Sequence, residues 1–197
     1  MTKIRQRDLF QQNILLRNNS KKIVTSFNMD RDTPSPVHPS QITLKRLNAT
    51  PKTIKEIFGF LKAQPHDHYQ TWGYGEPKIE KVTAMLRSNS IFAILLGGSQ
   101  LVGIVGFLYK ITYYNPLYNG QYWINYIVDK RYTKQGIATT AVGQLLDVIR
   151  EFTPIKRLYA GIYASNLSSI RVVEKHGFVQ RKQRDKRESL VFEKVIE

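Results

Sequence analysis

The sequence predicts a single α/β domain in which a mixed β-sheet carries helices on both of its faces. Its 197 residues are enough for one domain with a sizeable core and too few for two ordinary domains. The hydrophobic periodicity gives strands and helices in the order β-α-α-β-β-β-α-β-α-β-β. No apolar run approaches the roughly 20 residues that a membrane-spanning helix needs, so these apolar segments belong to a core.

The stretch from Met1 to Ser40 contains no element that the sequence defines well. It lacks a sustained hydrophobic period, and the segment DRDTPSPVHPS, which begins at Asp30, has three prolines and is typical of an extended linker. We therefore predict an N-terminal arm and linker over residues 1–40 and a folded domain over residues 41–197. An added strand or helix packed on the domain is the alternative, and Met29 is an alternative start of the protein.

The domain begins with a strand from Ile42 to Leu47, and Thr50 followed by Pro51 is typical of a helix start. A loop rich in aromatic residues, Ala63 to Tyr74, leads to a second predicted helix. The remaining elements follow in order: a helix at Pro77 to Arg87; strands at Ile91 to Leu96, Leu101 to Tyr113 and Gln121 to Val128; then, after a central helix, a strand at Arg157 to Ala164, a helix at Asn166 to Lys175, and a closing hairpin of Phe178 to Arg184 and Ser189 to Ile196.

The most informative stretch runs from Tyr122 to Ile149. An apolar strand ends at Val128, a polar turn follows, and after Gly136 the apolar residues recur at helical spacing. A helix start offers unpaired backbone N–H groups and the positive end of the helix dipole, which suit a phosphate. Gly136 has no side chain where a phosphate would approach most closely. Taken alone, the pattern fits a phosphate site or an ordinary strand-to-helix turn.

Two motifs in this region resemble those of the GNAT superfamily of acyl-CoA N-acetyltransferases. The family's pyrophosphate loop, Gln/Arg-x-x-Gly-x-Gly/Ala, falls on Thr133 to Ala138. The family's second motif is similar to ASNLSSIRVVEKHGF, Ala164 to Phe178, and the matching residues are Asn166, Ser169, Glu174, Lys175, Gly177 and Phe178. The two motifs stand in the family's order, separated by one helix and one strand. Together with the upstream strands, the resemblance extends from about Ile42 to Val195.

The resemblance implies a mostly antiparallel central sheet that is splayed between strands 4 and 5, with acetyl-CoA as the acetyl donor. Pantetheine would pair with the backbone near Ile127 and Val128, where one N–H group would point at the thioester oxygen. Backbone N–H groups would hold the pyrophosphate. Asn166 would hydrogen-bond the pantetheine arm, with N-capping of its helix as the alternative or additional role. The predicted cofactor-binding residues are Ile127, Val128, Thr133, Lys134, Gln135, Gly136, Ile137, Ala138, Thr139 and Asn166.

The resemblance also implies candidates for catalysis and for acceptor binding. Many members carry a tyrosine as general acid four residues before the motif's glycine, a position that Val173 occupies here. Ser169 instead resembles the branch that contains the ribosomal-protein N-terminal acetyltransferases, and it is our candidate proton donor to the departing thiolate. Asp129 is a candidate general base, with Glu76 or a water chain as the alternative base and a turn-forming role as the alternative for Asp129 itself. In the family the first interhelical segment lines the acceptor side, which makes Trp72 and Tyr74 candidate substrate contacts.

Two residues of the loop depart from the family pattern. Thr133 stands in place of the usual Gln or Arg, and Lys134 replaces a glycine that is common in this branch. Because backbone N–H groups do most of the phosphate binding, we expect the site to tolerate Thr133. Lys134 adds a positive charge near the expected phosphates.

Composition bears on partners and compartment. A formal net charge of +15 attracts polyanions and repels cations. That charge suits acetyl-CoA, an acidic protein target or RNA, with an ordinary solvated surface as the alternative. The resemblance to the ribosomal-protein branch implies a ribosomal protein as a further candidate partner. With no cysteine, the chain has no disulfide, thiolate nucleophile or Cys-ligated metal. We predict a cytoplasmic protein, monomeric or homodimeric, that uses neither a metal nor a membrane.

These observations predict transfer of an acetyl group to a primary amine, by direct attack in a ternary complex. A protein N-terminal α-amine is the first candidate acceptor. A small amine such as a polyamine or an aminoglycoside is the second, although the net charge argues against a polycation. The third alternative is a non-catalytic acyl-CoA-binding or RNA-associated module, suggested by Thr133, Val173 and the basic segment Arg181 to Arg187.

Overall fold

A seven-stranded sheet organises the part of the chain that the computed structural model describes, which is residues 37–65, 76–88, 90–110, 120–181 and 189–197. Its strands are β1 Ile42–Arg46, β2 Ser90–Leu96, β3 Gln100–Lys110, β4 Gln121–Val128, β5 Arg157–Tyr163, β6 Val179–Gln180 and β7 Ser189–Val195. Their order across the sheet is β1-β2-β3-β4-β5-β7-β6. Every neighbouring pair is antiparallel except β4 and β5, which are parallel. The predicted mixed, mostly antiparallel sheet is confirmed.

Four α-helices flank the sheet in the described ranges: α1 Pro51–Lys62, α2 Ile79–Ser88, α3 Ile137–Phe152 and α4 Leu167–Lys175. Helix α1 begins where the sequence predicts, because the Thr50 hydroxyl accepts a hydrogen bond from Thr53 N and a proline fills the first turn. Helix α2 begins two residues after the predicted Pro77, since its first backbone bond runs from Val82 N to Lys78 O. Proline therefore precedes this helix.

The helices lie on both faces of the sheet, as predicted. Helices α3 and α4 pack on one face over the larger core, and α1 and α2 pack on the opposite face over a second core. Side chains of a strand alternate between the two faces. In β4, Ile124 enters the core under α3 and Ile127 enters the core under α1 and α2. Even-numbered residues of β4 therefore face α3 and α4, and odd-numbered residues face the α1/α2 side.

Several predicted features fall wholly or partly outside the described residues. They are residues 1–36 of the arm, Trp72 and Tyr74 of the aromatic loop, the last three residues of the predicted strand 101–113, and residues 182–184 of the predicted strand 178–184. Among the helices that the structure does describe, none combines the length and apolar character needed to cross a bilayer.

The segment immediately before β1 packs on the domain. Val37 contacts the core under α3, and its backbone N–H donates a hydrogen bond of 3.2 Å to Oε1 of Gln135. The following residues, Pro39–Gln41, form a 3-10 turn, and Gln41 O accepts from Gly97 N at 2.9 Å. Ordered packing therefore includes Val37, ahead of the division that we place at Gln41 on sequence grounds. That division remains a prediction.

Candidate active site

The sheet opens between its two parallel strands. β4 and β5 pair only through Tyr122 with Leu158 and Trp123 with Tyr159. Beyond that point β4 stays paired with β3 as far as Val128, and β5 stays paired with β7 as far as Tyr163. The two strands thus diverge with their facing backbone groups unpaired by each other, and they leave a wedge between them. The splay expected between strands 4 and 5 is present.

The turn after β4 is held by the buried carboxylate of Asp129. Its Oδ1 accepts from Arg131 N at 2.9 Å and caps the 3-10 turn Lys130–Tyr132, while Arg131 Nη2 donates to Oδ2 at 2.7 Å. Burial alone would raise the pKa of Asp129, but hydrogen bonds from Arg131 and its charge outweigh burial and hold this pKa below its ordinary value. The structure thus gives Asp129 a turn-forming role. Its catalytic role remains a prediction, weakened by the lowered pKa.

The predicted phosphate loop has an unusual backbone before α3. Lys134 has φ +63° and Gly136 has φ +77°, so two left-handed residues flank Gln135. Alternation of this kind turns successive N–H groups toward one side and forms a concave anion site. Gly136 is the N-cap of α3 without a side-chain cap, and a Cβ built on it would meet no atom within 4 Å. The loop is therefore open in front of the helix start.

The other loop residues differ in their burial and in their hydrogen bonds. Thr133 is exposed, and its hydroxyl donates to Lys130 O at 3.0 Å, which makes it part of the turn. Ile137 is almost fully buried in the core, whereas Ala138 and Thr139 are half-buried. Thr139 O accepts from Nε2 of His176 at 2.7 Å, and this bond ties the end of α4 to the first turn of α3.

The first turn of α4 follows the end of β5 and contacts β4 through Tyr126. Asn166 caps this helix, since its Oδ1 accepts from Ser169 N at 3.1 Å and from the Ser168 hydroxyl at 3.0 Å. The predicted N-capping role is present, and the cap leaves the Asn166 amide N–H groups for other partners. Ser169 is half-buried on this turn, whereas Val173 is fully buried in the core. Burial in that apolar core agrees with the exclusion of Val173 as an acid.

Tyr126 joins β4 to this turn, and the sequence analysis did not identify it as a site residue. Its hydroxyl donates to the backbone carbonyl of Ser169 at 3.1 Å, and burial raises the pKa of Tyr126 to about 12. The phenol therefore remains a neutral donor throughout the physiological range. The available signal was strand alternation, which puts Tyr126 on the α4 side of β4 between the apolar residues Ile124 and Val128.

Gln64 is a second missed residue, at the end of α1. Its buried side chain donates to Phe60 O at 3.3 Å and accepts from Lys130 N at 3.2 Å. The end of α1, where the predicted acceptor loop begins, is thereby fixed to the turn that precedes the phosphate loop. Nothing in the local sequence distinguishes Gln64 from a surface glutamine.

Within the described ranges, no group of three or more His, Asp and Glu side chains could hold a metal.

Comparison with known proteins identifies the family. The model of the acetyltransferase (GNAT) domain matches residues 40–179, which is most of the chain. The chain belongs to the GNAT acetyltransferase family. A curated relative, the spermine/spermidine N(1)-acetyltransferase of Bacillus subtilis (strain 168), is 30% identical over 61 residues, which are 30% of this chain and 40% of the relative. This match therefore spans less than half of the relative's length.

Solved GNAT structures share the fold. The RimL ribosomal α-N-protein acetyltransferase, solved with coenzyme A, has a TM-score of 0.62 at 14% identity, with 80% of this chain and 95% of that chain covered. The spermidine N-acetyltransferase of Vibrio cholerae, solved with CoA and spermine, has a TM-score of 0.60 at 17% identity. The match covers 80% of this chain and 96% of that chain. At such low identities these similarities establish the GNAT fold and leave the acceptor open.

Proposed function

We propose that this protein is an N-acetyltransferase that takes the acetyl group from acetyl-CoA and transfers it to the α-amine of a polypeptide. The observation that carries the proposal is the position of the β4–β5 wedge, which ends at the left-handed loop before α3. An extended chain can pair with a strand edge, and a pyrophosphate suits N–H groups at a helix start. Acetyl-CoA carries both kinds of group in one molecule.

The chain's own residues offer a consistent set of contacts for acetyl-CoA. On the side of β4 that faces the wedge and that β5 leaves unpaired, the backbone near Ile127 and Val128 would hold the pantetheine, and the N–H groups from Gln135 to Thr139 would hold the pyrophosphate. Asn166 uses Oδ1 for its helix cap, so its amide N–H groups are the ones that would face pantetheine. The exposed Lys134 adds positive charge beside the loop.

Acetyl-CoA supplies an activated acetyl group, and the protein must align a neutral amine with it and stabilise the charges that develop. The new bond joins the amine nitrogen to the acetyl carbon as the bond from that carbon to sulfur breaks, and the thiolate then needs a proton. Ser169 is the proposed donor because it is half-buried in the first turn of α4, where Tyr126 and Asn166 bind its backbone. A water chain is the better base, since Arg131 occupies the carboxylate of Asp129.

The charges of the described residues favour a polypeptide over a polycation. Both buried carboxylates in these residues are bound by arginines: Asp129 by Arg131, and Glu193 by Arg157 at 2.7 Å and Arg181 at 2.8 Å. Neither is available to balance an ammonium group. The net charge of +15 also repels a polyamine and attracts an acidic protein.

A polyamine is the second candidate acceptor, supported by the spermine/spermidine acetyltransferase among the relatives. Release of free CoA thiol distinguishes the two candidates when the protein and acetyl-CoA are mixed with a peptide that has a free α-amine, with the same peptide blocked at that amine, or with spermidine. We expect acceptor-dependent thiol release with the free peptide alone. Turnover with spermidine and none with peptides would replace the first candidate by the second, and turnover with none of a broad amine panel would refute acetyl transfer.

A further inference from the structure

Asn125 is an unusual residue for the middle of a sheet. It is 9% exposed, and its amide nitrogen is fully buried without a hydrogen-bond partner among the described residues. Asparagine is disfavoured in strands. A buried donor without an acceptor also destabilises the fold, because it loses its hydrogen bonds to water and gains none within the protein. An apolar residue would serve the sheet better. The position therefore points to a ligand that supplies the missing acceptor.

The location of Asn125 connects it with the wedge. It is the second residue of β4 after the last pair with β5, which joins Trp123 to Tyr159. As an odd-numbered residue it faces the α1/α2 side together with Ile127, which is two residues farther along the strand. Two residues of a strand span about 7 Å. The backbone of Asn125 thus lies two residue lengths from the backbone of Ile127, near which the proposed thioester would bind.

Small residues surround this amide on the same face. Gly106 is paired directly opposite Asn125 on β3, and a Cβ there would clash with the carbonyl oxygen of Ser90 and with Ile91. On β5, Gly161 is exposed, and its Cβ would come within 3.4 Å of the Trp123 ring. Gly161 therefore leaves the β5 side of this face flat, whereas Ser90 and Ile91 cover the β3 side over Gly106. An extended acceptor backbone can approach a flat face closely.

We propose that the Asn125 amide donates a hydrogen bond to the first backbone carbonyl of a polypeptide acceptor and so favours peptides over polyamines. This inference rests on the proposed acetyl transfer. A protonated polyamine offers only N–H donors, and its reacting amine uses its lone pair for attack, so it leaves the Asn125 donor unpaired. A polypeptide has a carbonyl oxygen within its first residue, close to the α-amine, and this oxygen can accept a hydrogen bond from Asn125.

The test combines a protein variant with a substrate change. Wild type and Asn125→Ala are compared on a peptide and on the same peptide with its first carbonyl reduced to a methylene. In the wild type, loss of the carbonyl should lower kcat/KM by about tenfold or more. In Asn125→Ala, kcat/KM on the normal peptide should already be lower by that factor, and loss of the carbonyl should cost little more. Binding of acetyl-CoA should be unchanged in both proteins.

Asn125→Asp is the matched second variant, because it keeps the size of the side chain and replaces the donor by an acceptor. It should lose peptide turnover as Asn125→Ala does, and it should raise spermidine turnover above that of Asn125→Ala, because a carboxylate accepts from the N–H groups of a polyamine. Equal sensitivity of wild type and Asn125→Ala to the missing carbonyl would overturn the inference, as would undiminished peptide turnover in Asn125→Asp. If wild type acetylates no peptide, the proposed function fails together with it. If peptides are acetylated and Asn125→Ala matches wild type, this inference fails alone.

Discussion

The hydroxyl of Tyr126 donates a hydrogen bond of 3.1 Å to the backbone carbonyl of Ser169. This bond ties the part of β4 that no longer pairs with β5 to the first turn of α4. Asn166 fixes the same turn from its other side by capping Ser169 N. Ser169 is therefore held at the wedge by one contact from the strand and one from its own helix, which fits a residue that must meet a bound thioester in a fixed geometry.

The first prediction concerns Ser169 as proton donor. Ser169→Ala should lower kcat about a hundredfold while acetyl-CoA affinity stays unchanged, because the hydroxyl matters as charge builds on sulfur. Ser168→Ala is the matched control, since Ser168 lies on the same turn and donates only to the Asn166 cap among the described contacts. Steady-state kinetics and calorimetric titration check both. If Ser169→Ala and Ser168→Ala have equal, near-normal kcat values, Ser169 is structural.

The second prediction concerns the loop before α3. Gly136→Asp should weaken acetyl-CoA binding tenfold or more, about 1.4 kcal/mol, because a carboxylate replaces the open face that the pyrophosphate would occupy. Gly98→Asp controls for backbone strain: Gly98 has φ +76°, close to the +77° of Gly136, and neither has an atom within 4 Å of an added Cβ. Calorimetry on folded variants gives both affinities. Equal affinities in the two variants would separate the loop from cofactor binding.

The third prediction concerns pH and the ion pair of Asp129 with Arg131. The folded-state pKa of Asp129 is lowered, so its stabilising contribution is present above the unfolded value of about 3.9 and disappears as pH falls through the folded value. Arg131→Ala should lower the free energy of unfolding by about 1–3 kcal/mol at pH 7 and by less at pH 3, which lies below the unfolded-state pKa. Urea denaturation at both pH values measures the difference.

Arg150→Ala is the control for this pair, because Arg150 binds Asp147 on the exposed surface of α3 at the same 2.7 Å distance. An exposed pair contributes little to stability, so this variant should resemble wild type at both pH values. A loss in Arg131→Ala that is independent of pH would mean that its effect comes from packing and that Asp129 is not the group stabilised.

The fourth prediction concerns the start of the domain. A chain that begins at Gln41 should fold and bind acetyl-CoA, but it lacks the contact of Val37 with the core and with Gln135. It should therefore be less stable than a chain that begins at Val37 by about 1 kcal/mol. Urea denaturation and calorimetry of the two truncated chains compare them. Aggregation of the Gln41 chain would show that the division at residue 41 is wrong.

The fold and the phosphate loop could be predicted because their signals are local. Gly136 follows an apolar strand and precedes residues at helical spacing, and Thr50 with Pro51 specifies a helix start within two residues. The splay between β4 and β5 also followed from a family resemblance carried by two short motifs.

The contacts that shape the site could not be predicted in the same way. Val37 meets Gln135 across 98 residues, Lys130 meets Gln64 across 66, and Tyr126 meets Ser169 across 43. Each depends on how distant elements pack, which no local pattern encodes. Asp129 illustrates the difference: its sequence position allows a base or a turn former, and only the position of the Arg131 guanidinium shows that the carboxylate is occupied.

The most direct test of acetyl transfer to a polypeptide is a competition followed by mass spectrometry. The full chain is given acetyl-CoA and an equimolar mixture of spermidine and a peptide that has both a free α-amine and a lysine. Fragmentation of the product locates the acetyl group. We predict one acetyl group on the peptide's α-amine, with the lysine and spermidine unmodified. Acetylation of spermidine with an unmodified peptide would contradict that prediction.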